Sequence, residues 1–237
     1  MKNSIILVLI ICIAITVSGC IGTGGTGSGN VINETKTVNG FDQVSLNGIG
    51  TLIITQGSEE SLTIEAEDNI IPHIQTKVDD NKLEIYYDNI TPSPTKSVLF
   101  HITLRDLGSV EMSGAGKLNS TNIKTKDLTL RIEGAGEGEI TNLNADNIKI
   151  NIIGAGNLKL SGNVDNQTIN INGAGEYNAP ALTSKITSIT INGFGKGTVN
   201  VSTILNAVIN GGGSINYFGN PKVNQEINGA GTVNKAF

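Results

Sequence analysis

The chain has no tryptophan, and aromatic residues make up only 4% of its 237 positions. That shortage excludes one wide core filled by large rings. Apolar content falls instead to Ile, Leu and Val, which favour strands. Cysteine is confined to Cys12 and Cys20, so no disulfide can staple the body of the chain, and no thiol nucleophile is available there. Histidine is limited to His73 and His101, too few for a His-rich metal site. Lys and Arg form no block and the formal net charge is -5. Nucleic acid is therefore excluded as a partner, because neutralising phosphates needs clustered cations. No stretch sustains a 3.6-residue apolar period, so no long amphipathic helix is expected.

One continuous apolar run is present. Lys2 precedes Ile5 to Val17, which is shorter than the about 20 residues of a bilayer-spanning helix. "VSGC" at 17–20 then resembles the lipobox of a lipoprotein signal peptide. The resemblance implies removal of residues 1–19, lipidation of the Cys20 thiol, and an extracytoplasmic, membrane-anchored location on the cell surface or envelope. The alternatives are an uncleaved membrane anchor and secretion without lipid. Residues 20–37 open with "CIGTGGTGSGN", a composition that makes a flexible tether. Gly22, Gly24 and Gly27 match G-x-G-x-x-G. No strand precedes them and no helix pattern follows, so a dinucleotide loop is rejected.

Glycine is what the chain has in excess. Pairs stand at Gly48/Gly50, Gly114/Gly116, Gly134/Gly136, Gly154/Gly156, Gly173/Gly175, Gly193/Gly195, Gly211/Gly213 and Gly229/Gly231. From Gly114 onward they recur at steps of 20, 20, 19, 20, 18 and 18 residues. A period near 20 means stacked units, each too small to bury its own apolar face. Within each unit an alternating run arrives, such as Leu128-Thr-Leu130-Arg-Ile132-Glu or Ile148-Lys-Ile150-Asn-Ile152. Alternation at period 2 puts one face in and the other out. Gly-x-Gly follows, then a second short strand and an Asn/Asp/Ser-rich turn. The expected fold is all-β: a β-solenoid of 18–20-residue laps over residues 113–237. The runner-up is an antiparallel sandwich, which does not require constant spacing. Residues 38–112 break the period and read as a β-rich lobe capping one end, with "VDDN" at 78–81 as a hairpin turn.

The residue inside the pair varies: Ile49, Ala115, Ala135, Ala155, Ala174, Phe194, Gly212 and Ala230. The flanking glycines therefore carry the constraint, as structural turn residues held by positive φ or by a corner with no room for Cβ. A phosphate cradle would call for a helix or basic residues after the pair. Glu137, Asn157, Glu176 and Lys196 are there instead.

The ordered set resembles the DUF2807 family, the autotransporter adhesin head or GIN domain. The carrying residues are Phe41 with "VSLNGIGTLIITQG", "KLEIYY", the serial Gly-Ala-Gly units, and Tyr217, Gly219 and Pro221 between the last two pairs. The similarity spans about residues 38–235. It implies a β-helix-like, secreted or lipid-anchored domain with no established catalytic residues. Phe194 departs from the usual small residue and marks a contact point.

Chemistry is thin elsewhere. His73 and His101 read as surface or structural. Glu133, Glu137 and Glu139 flank one corner and Glu176 follows another, so a polysaccharide-active enzyme using paired surface carboxylates is the alternative function. No Asp follows a glycine pair, so the glycine-rich calcium repeat is missing and no metal is expected. No cofactor is expected either. Asn33, Asn89, Asn119, Asn166 and Asn200 begin glycosylation sequons. The expected partners are the membrane, through Cys20, and a surface glycan or protein ligand.

Overall fold

The computed structural model describes residues 25–88 and 90–236. The signal segment, Cys20 and Asn89 lie outside the described residues. Strands dominate, wound into a β-solenoid of about six turns.

The alternating runs become strands whose apolar rows face inward. Ser109–Gly114, Lys124–Gly134, Glu137–Gly154, Asn157–Gly173, Glu176–Gly193 and Lys196–Gly211 pair in parallel, each with its equivalent one lap away. The register stacks Ile132, Ile152, Ile171, Ile191 and Ile209 in one column, and Leu130, Ile150, Ile169, Ile189 and Ala207 in the next. All ten are buried. A one-residue slip would turn both columns out to solvent, so burial fixes the register. Parallel pairing between laps is what separates this fold from the antiparallel sandwich.

The stack does not begin at residue 113. Gln43–Gly48 and Thr51–Gln56 form a full lap that pairs in parallel with Ser109–Gly114 and Lys117–Thr121. On its other side the same lap pairs in parallel with Lys82–Tyr87 and Leu99–Leu104. Order in the stack thus differs from order in the chain. Antiparallel strands close this end: Ser61–Glu67 on Leu99–Leu104, Val31–Lys36 on Ser61–Glu67, and Ile74–Asp79 on Lys82–Tyr87. The last hairpin turns through Asp80 and Asn81 at φ 46 and 61, as a tight two-residue turn requires.

The composition of residues 20–37 suggests a tether, yet its described part is bound. Val31–Lys36 is a strand. Gly25–Thr26 pairs in parallel with Pro92–Ser93. The Asn69 side chain accepts from the Ser28 amide and donates to the Thr26 carbonyl. Polar contacts, not apolar burial, hold these residues, which is why their composition looks unstructured.

Candidate functional site

The glycine corners form a column along the stack. The first glycines of the pairs, Gly114, Gly134, Gly154, Gly173, Gly193, Gly211 and Gly229, have φ between 103 and 144. From Gly114 to Gly211, a Cβ there would stand 2.5–2.7 Å from the carbonyl oxygen of the equivalent glycine one lap before.

The second glycines differ in which of the two constraints holds them. Gly116, Gly136, Gly156, Gly175, Gly195, Gly213 and Gly231 are absent from the positive-φ positions, so none is a left-handed turn residue. All but Gly231 are buried, whereas the first glycines stand at the surface. Their constraint is space. At Gly136, Gly156, Gly175, Gly195, Gly213 and Gly231 a Cβ would press within 2.5–3.0 Å of an inward Ile Cγ2 atom. At Gly116 the obstacle is Leu46 Cδ2, at 2.9 Å. The carbonyl of the equivalent glycine one lap before crowds the same Cβ, at 2.9 Å for Gly175 and Gly195 and 2.8 Å for Gly213. The first glycine therefore turns the chain, and the second lets it pass against the apolar column.

The corner amides are already occupied. Ala135 donates to the Gly114 carbonyl at 3.0 Å and Glu137 to the Gly116 carbonyl at 3.0 Å. Ala155 and Asn157 repeat this on Gly134 and Gly136 at 2.8 and 2.9 Å. The carbonyls of Gly156, Gly175, Gly195 and Gly213 accept in the same way from Glu176, Lys196, Ser214 and Thr232. A phosphate loop needs N–H groups aimed outward at the anion. Here they point along the stack. The middle residue stands outside: Phe194 is 76% exposed.

The carboxylates of the enzymatic alternative are tied to cations. Lys117 Nζ lies 2.9 Å from Glu137, and by hydrogen bond and charge holds that carboxyl below its ordinary range. A general acid would need the opposite shift. Glu133 binds Arg131, whose guanidinium also reaches Glu111 at 3.4 Å. Glu139 is exposed, and Glu176 stands one lap from Lys196 in the same row. His101 lies 3.7 Å from Glu65, and His73 lies 3.6 Å from Asp88. Each histidine meets one acid at the surface. Among the described residues no cluster of His, Cys, Asp and Glu could hold a metal ion.

Two of the open hollows on the outer faces cross the stacked laps. One, about 160 Å³, is lined by Lys117, Glu137, Glu139, Asn157 and Lys159. The other, about 380 Å³, runs across laps past Asn144, Asp146, Asn163, Asp165, Lys185 and Ser202. Both mix charges of either sign on an open sheet surface.

Sequence reasoning passed over Glu67. Its side chain is fully buried. It accepts from the Gly29 amide at 2.7 Å, the Thr95 amide at 2.9 Å, the Thr95 hydroxyl at 2.5 Å and the Lys96 amide at 3.3 Å. The Thr95 hydroxyl first, then these amides, hold the carboxyl below its ordinary range against the opposing effect of burial. The neighbouring Asp68 accepts from the Ser28 hydroxyl and the Asn30 amide group. Two adjacent acids thus fasten residues 28–30 to the capping end.

The fold has counterparts among known proteins. The family described as "Putative auto-transporter adhesin, head GIN domain" matches residues 40–221. The chain belongs to the DUF2807 family. A crystal structure of a putative adhesin from Bacteroides fragilis NCTC 9343 superposes with a TM-score of 0.82 at 25% identity, covering 90% of this chain and 100% of that one. A putative adhesin from Parabacteroides distasonis ATCC 8503 shares the fold at a TM-score of 0.71 and 21% identity, covering 89% and 99%. A putative lipid binding protein from the same strain shares it at 0.70 and 20%, covering 90% and 99%. No curated protein matches the chain.

Proposed function

We propose that this DUF2807 chain is an exported, lipid-anchored surface protein that works by adhesion and not by catalysis. The observation that carries the reading is the form of the molecule. Laps about 4.8 Å apart repeat the same outward rows along a continuous sheet, which suits many weak contacts with an extended partner. The family description and the Bacteroides fragilis relative both carry the word adhesin. The paired state of Glu133 and Glu137 speaks against the carbohydrase alternative. In this reading Cys20 bears the lipid, and the chain enters the fold at the end fastened by Glu67 and Asp68.

The experiment has two arms. Labelled palmitate should enter the wild-type protein, and Cys20→Ser should release it from the membrane fraction. Cells displaying the protein should adhere to a host-cell or glycan-coated surface more than cells lacking it. Unlabelled protein refutes the anchor. Equal adherence refutes the adhesive role.

A further inference from the structure

We infer that the outer face beside the glycine corners of the last four laps is a docking surface for an uncharged polysaccharide. This rests on the adhesive reading and names its ligand class.

The face is built from three outward rows that run along the stack. One runs Asn172, Asn192, Asn210, Asn228, immediately before the glycine corner. The next runs from Asn170 through Thr190 and Val208 to Glu226, and the third from Thr168 through Ser188 and Asn206 to Asn224. Within these rows there is no lysine or arginine, and Glu226 is the single acid. The same rows nearer the cap carry Glu111, Arg131, Glu133 and Lys149. Charge therefore leaves this face as the stack proceeds, and amides and hydroxyls largely replace it.

The asparagines are ordered. Asn192 Nδ2 donates to Asn172 Oδ1 at 2.7 Å, Asn210 to Asn192 at 2.7 Å, and Asn228 to Asn210 at 3.0 Å. A parallel ladder links Asn224 to Asn206 at 2.9 Å and Asn206 to Ser188 at 3.3 Å. An asparagine amide has two N–H groups and two carbonyl lone pairs. In mid-ladder, Asn192 and Asn210 each spend one N–H and one lone pair on their neighbours. A second N–H and a second lone pair remain on each, with the amide orientation fixed by the ladder. The two middle laps thus each offer one donor and one acceptor, about 4.8 Å apart, while at the end of the ladder Asn228 spends its second N–H on Glu226 at 2.9 Å. Their rotamer entropy was lost on folding, so binding need not lose it again.

These features select the ligand. A flat face with no enclosure cannot hold a small molecule, whereas a polymer lying across several laps collects contacts from each. Every sugar unit carries hydroxyls that both donate and accept, which matches the alternation. The lack of cations in the rows gives an anionic polymer nothing to pair with, and Glu226 repels it.

The test uses the exported chain carrying Cys20→Ser, run in native gels containing soluble polysaccharides. Neutral β-glucan, xylan and galactomannan are compared with anionic polygalacturonate and alginate. At least one neutral polymer should retard the protein, and the anionic ones should not. Asn192→Ala with Asn210→Ala should weaken retardation about tenfold, as expected for two lost hydrogen-bonding groups. Thr190→Lys, which leaves both ladders intact, should also weaken it, and circular dichroism should show both variants folded. Retardation by anionic polymers alone, no retardation by any neutral polymer, or undiminished binding by the folded variants overturns the inference. If displaying cells still adhere in those cases, the adhesive reading stands and only the ligand class falls. If they do not adhere, that reading falls as well.

Discussion

Phe194 lies against Gly212, its equivalent one lap further on: a Cβ built on Gly212 would meet the ring's Cε1 at 2.8 Å. In most other laps this position is alanine. The lap after the single phenylalanine carries glycine instead, so the two departures from the repeat explain each other. Gly212→Ala alone should force the exposed ring to swing aside. Phe194→Ala alone should change stability by less than about 0.5 kcal/mol, as at other exposed sites. With both changes the lap becomes an ordinary Ala-over-Ala corner. Denaturant titration of the four proteins should give a coupling of roughly 0.5–1 kcal/mol. Strict additivity would show that the ring and the missing Cβ are unrelated.

Gly154→Ala is predicted to be far more damaging than Ala155→Gly. Gly154 has φ 107, and its Cβ would stand 2.7 Å from the Gly134 carbonyl oxygen, a backbone atom held by its own ladder. Strain in such a conformation costs about 1–3 kcal/mol before the clash is added. Ala155→Gly alters only an exposed position. The midpoint of urea unfolding should fall clearly for the first and barely for the second. Equal midpoints would mean that the corner tolerates a side chain.

The period, the strands and the corner were legible because they repeat. One lap says little, but seven glycine pairs at near-constant steps from Gly114 onward specify both architecture and register. The two roles within a pair were not legible, because Gly154 and Gly156 are the same letter and only the packed laps separate a turn from a close approach. The capping end was also less legible, since it depends on pairings distant in sequence. Gln43–Gly48 meets Ser109–Gly114 across 66 residues, and no local pattern announces that the lap sits between two later ones. The asparagines were visible as composition, and only the register places Asn172 beside Asn192. Glu67 left no pattern at all. Its partners are mostly backbone amides, which every sequence has.

Tyr177 offers a test of buried polarity. It is fully buried, and its hydroxyl donates to Gln167 Oε1 at 2.6 Å. Burial pushes its phenol well above the ordinary range. Gln167 Nε2 has no partner among the described residues. Tyr177→Phe leaves the glutamine amide wholly unpaired and should cost about 1–3 kcal/mol. Tyr177→Phe with Gln167→Met removes both polar ends and should recover much of that loss in a thermal melt. A double variant no more stable than the single one would show that the bond itself, and not the orphaned amide, sets the cost.

Acid should undo the fastening of the N-terminal segment before it undoes the stack. Hydrogen bonds from Thr95, Gly29 and Lys96 lower the Glu67 pKa in the folded state below its ordinary value of 4.5. Asp68 is lowered likewise, by Ser28 and Asn30, from 3.8. Between the folded and unfolded values the unfolded chain holds more protons, so stability rises with pH across that interval. The contribution of Glu67 is complete above about 4.5 and is lost as pH falls through its lower folded value. Hydrogen exchange should therefore show the Gly29 and Thr95 amides protected at pH 7 and unprotected in strong acid, while Ile150 in the stack stays protected. Glu67→Gln should expose the same two amides even at pH 7, because its NH₂ group faces donors and one acceptor oxygen is lost. Full protection of Gly29 in that variant would show that Asp68 and Asn69 suffice to hold the segment, and that the buried carboxylate is not the latch.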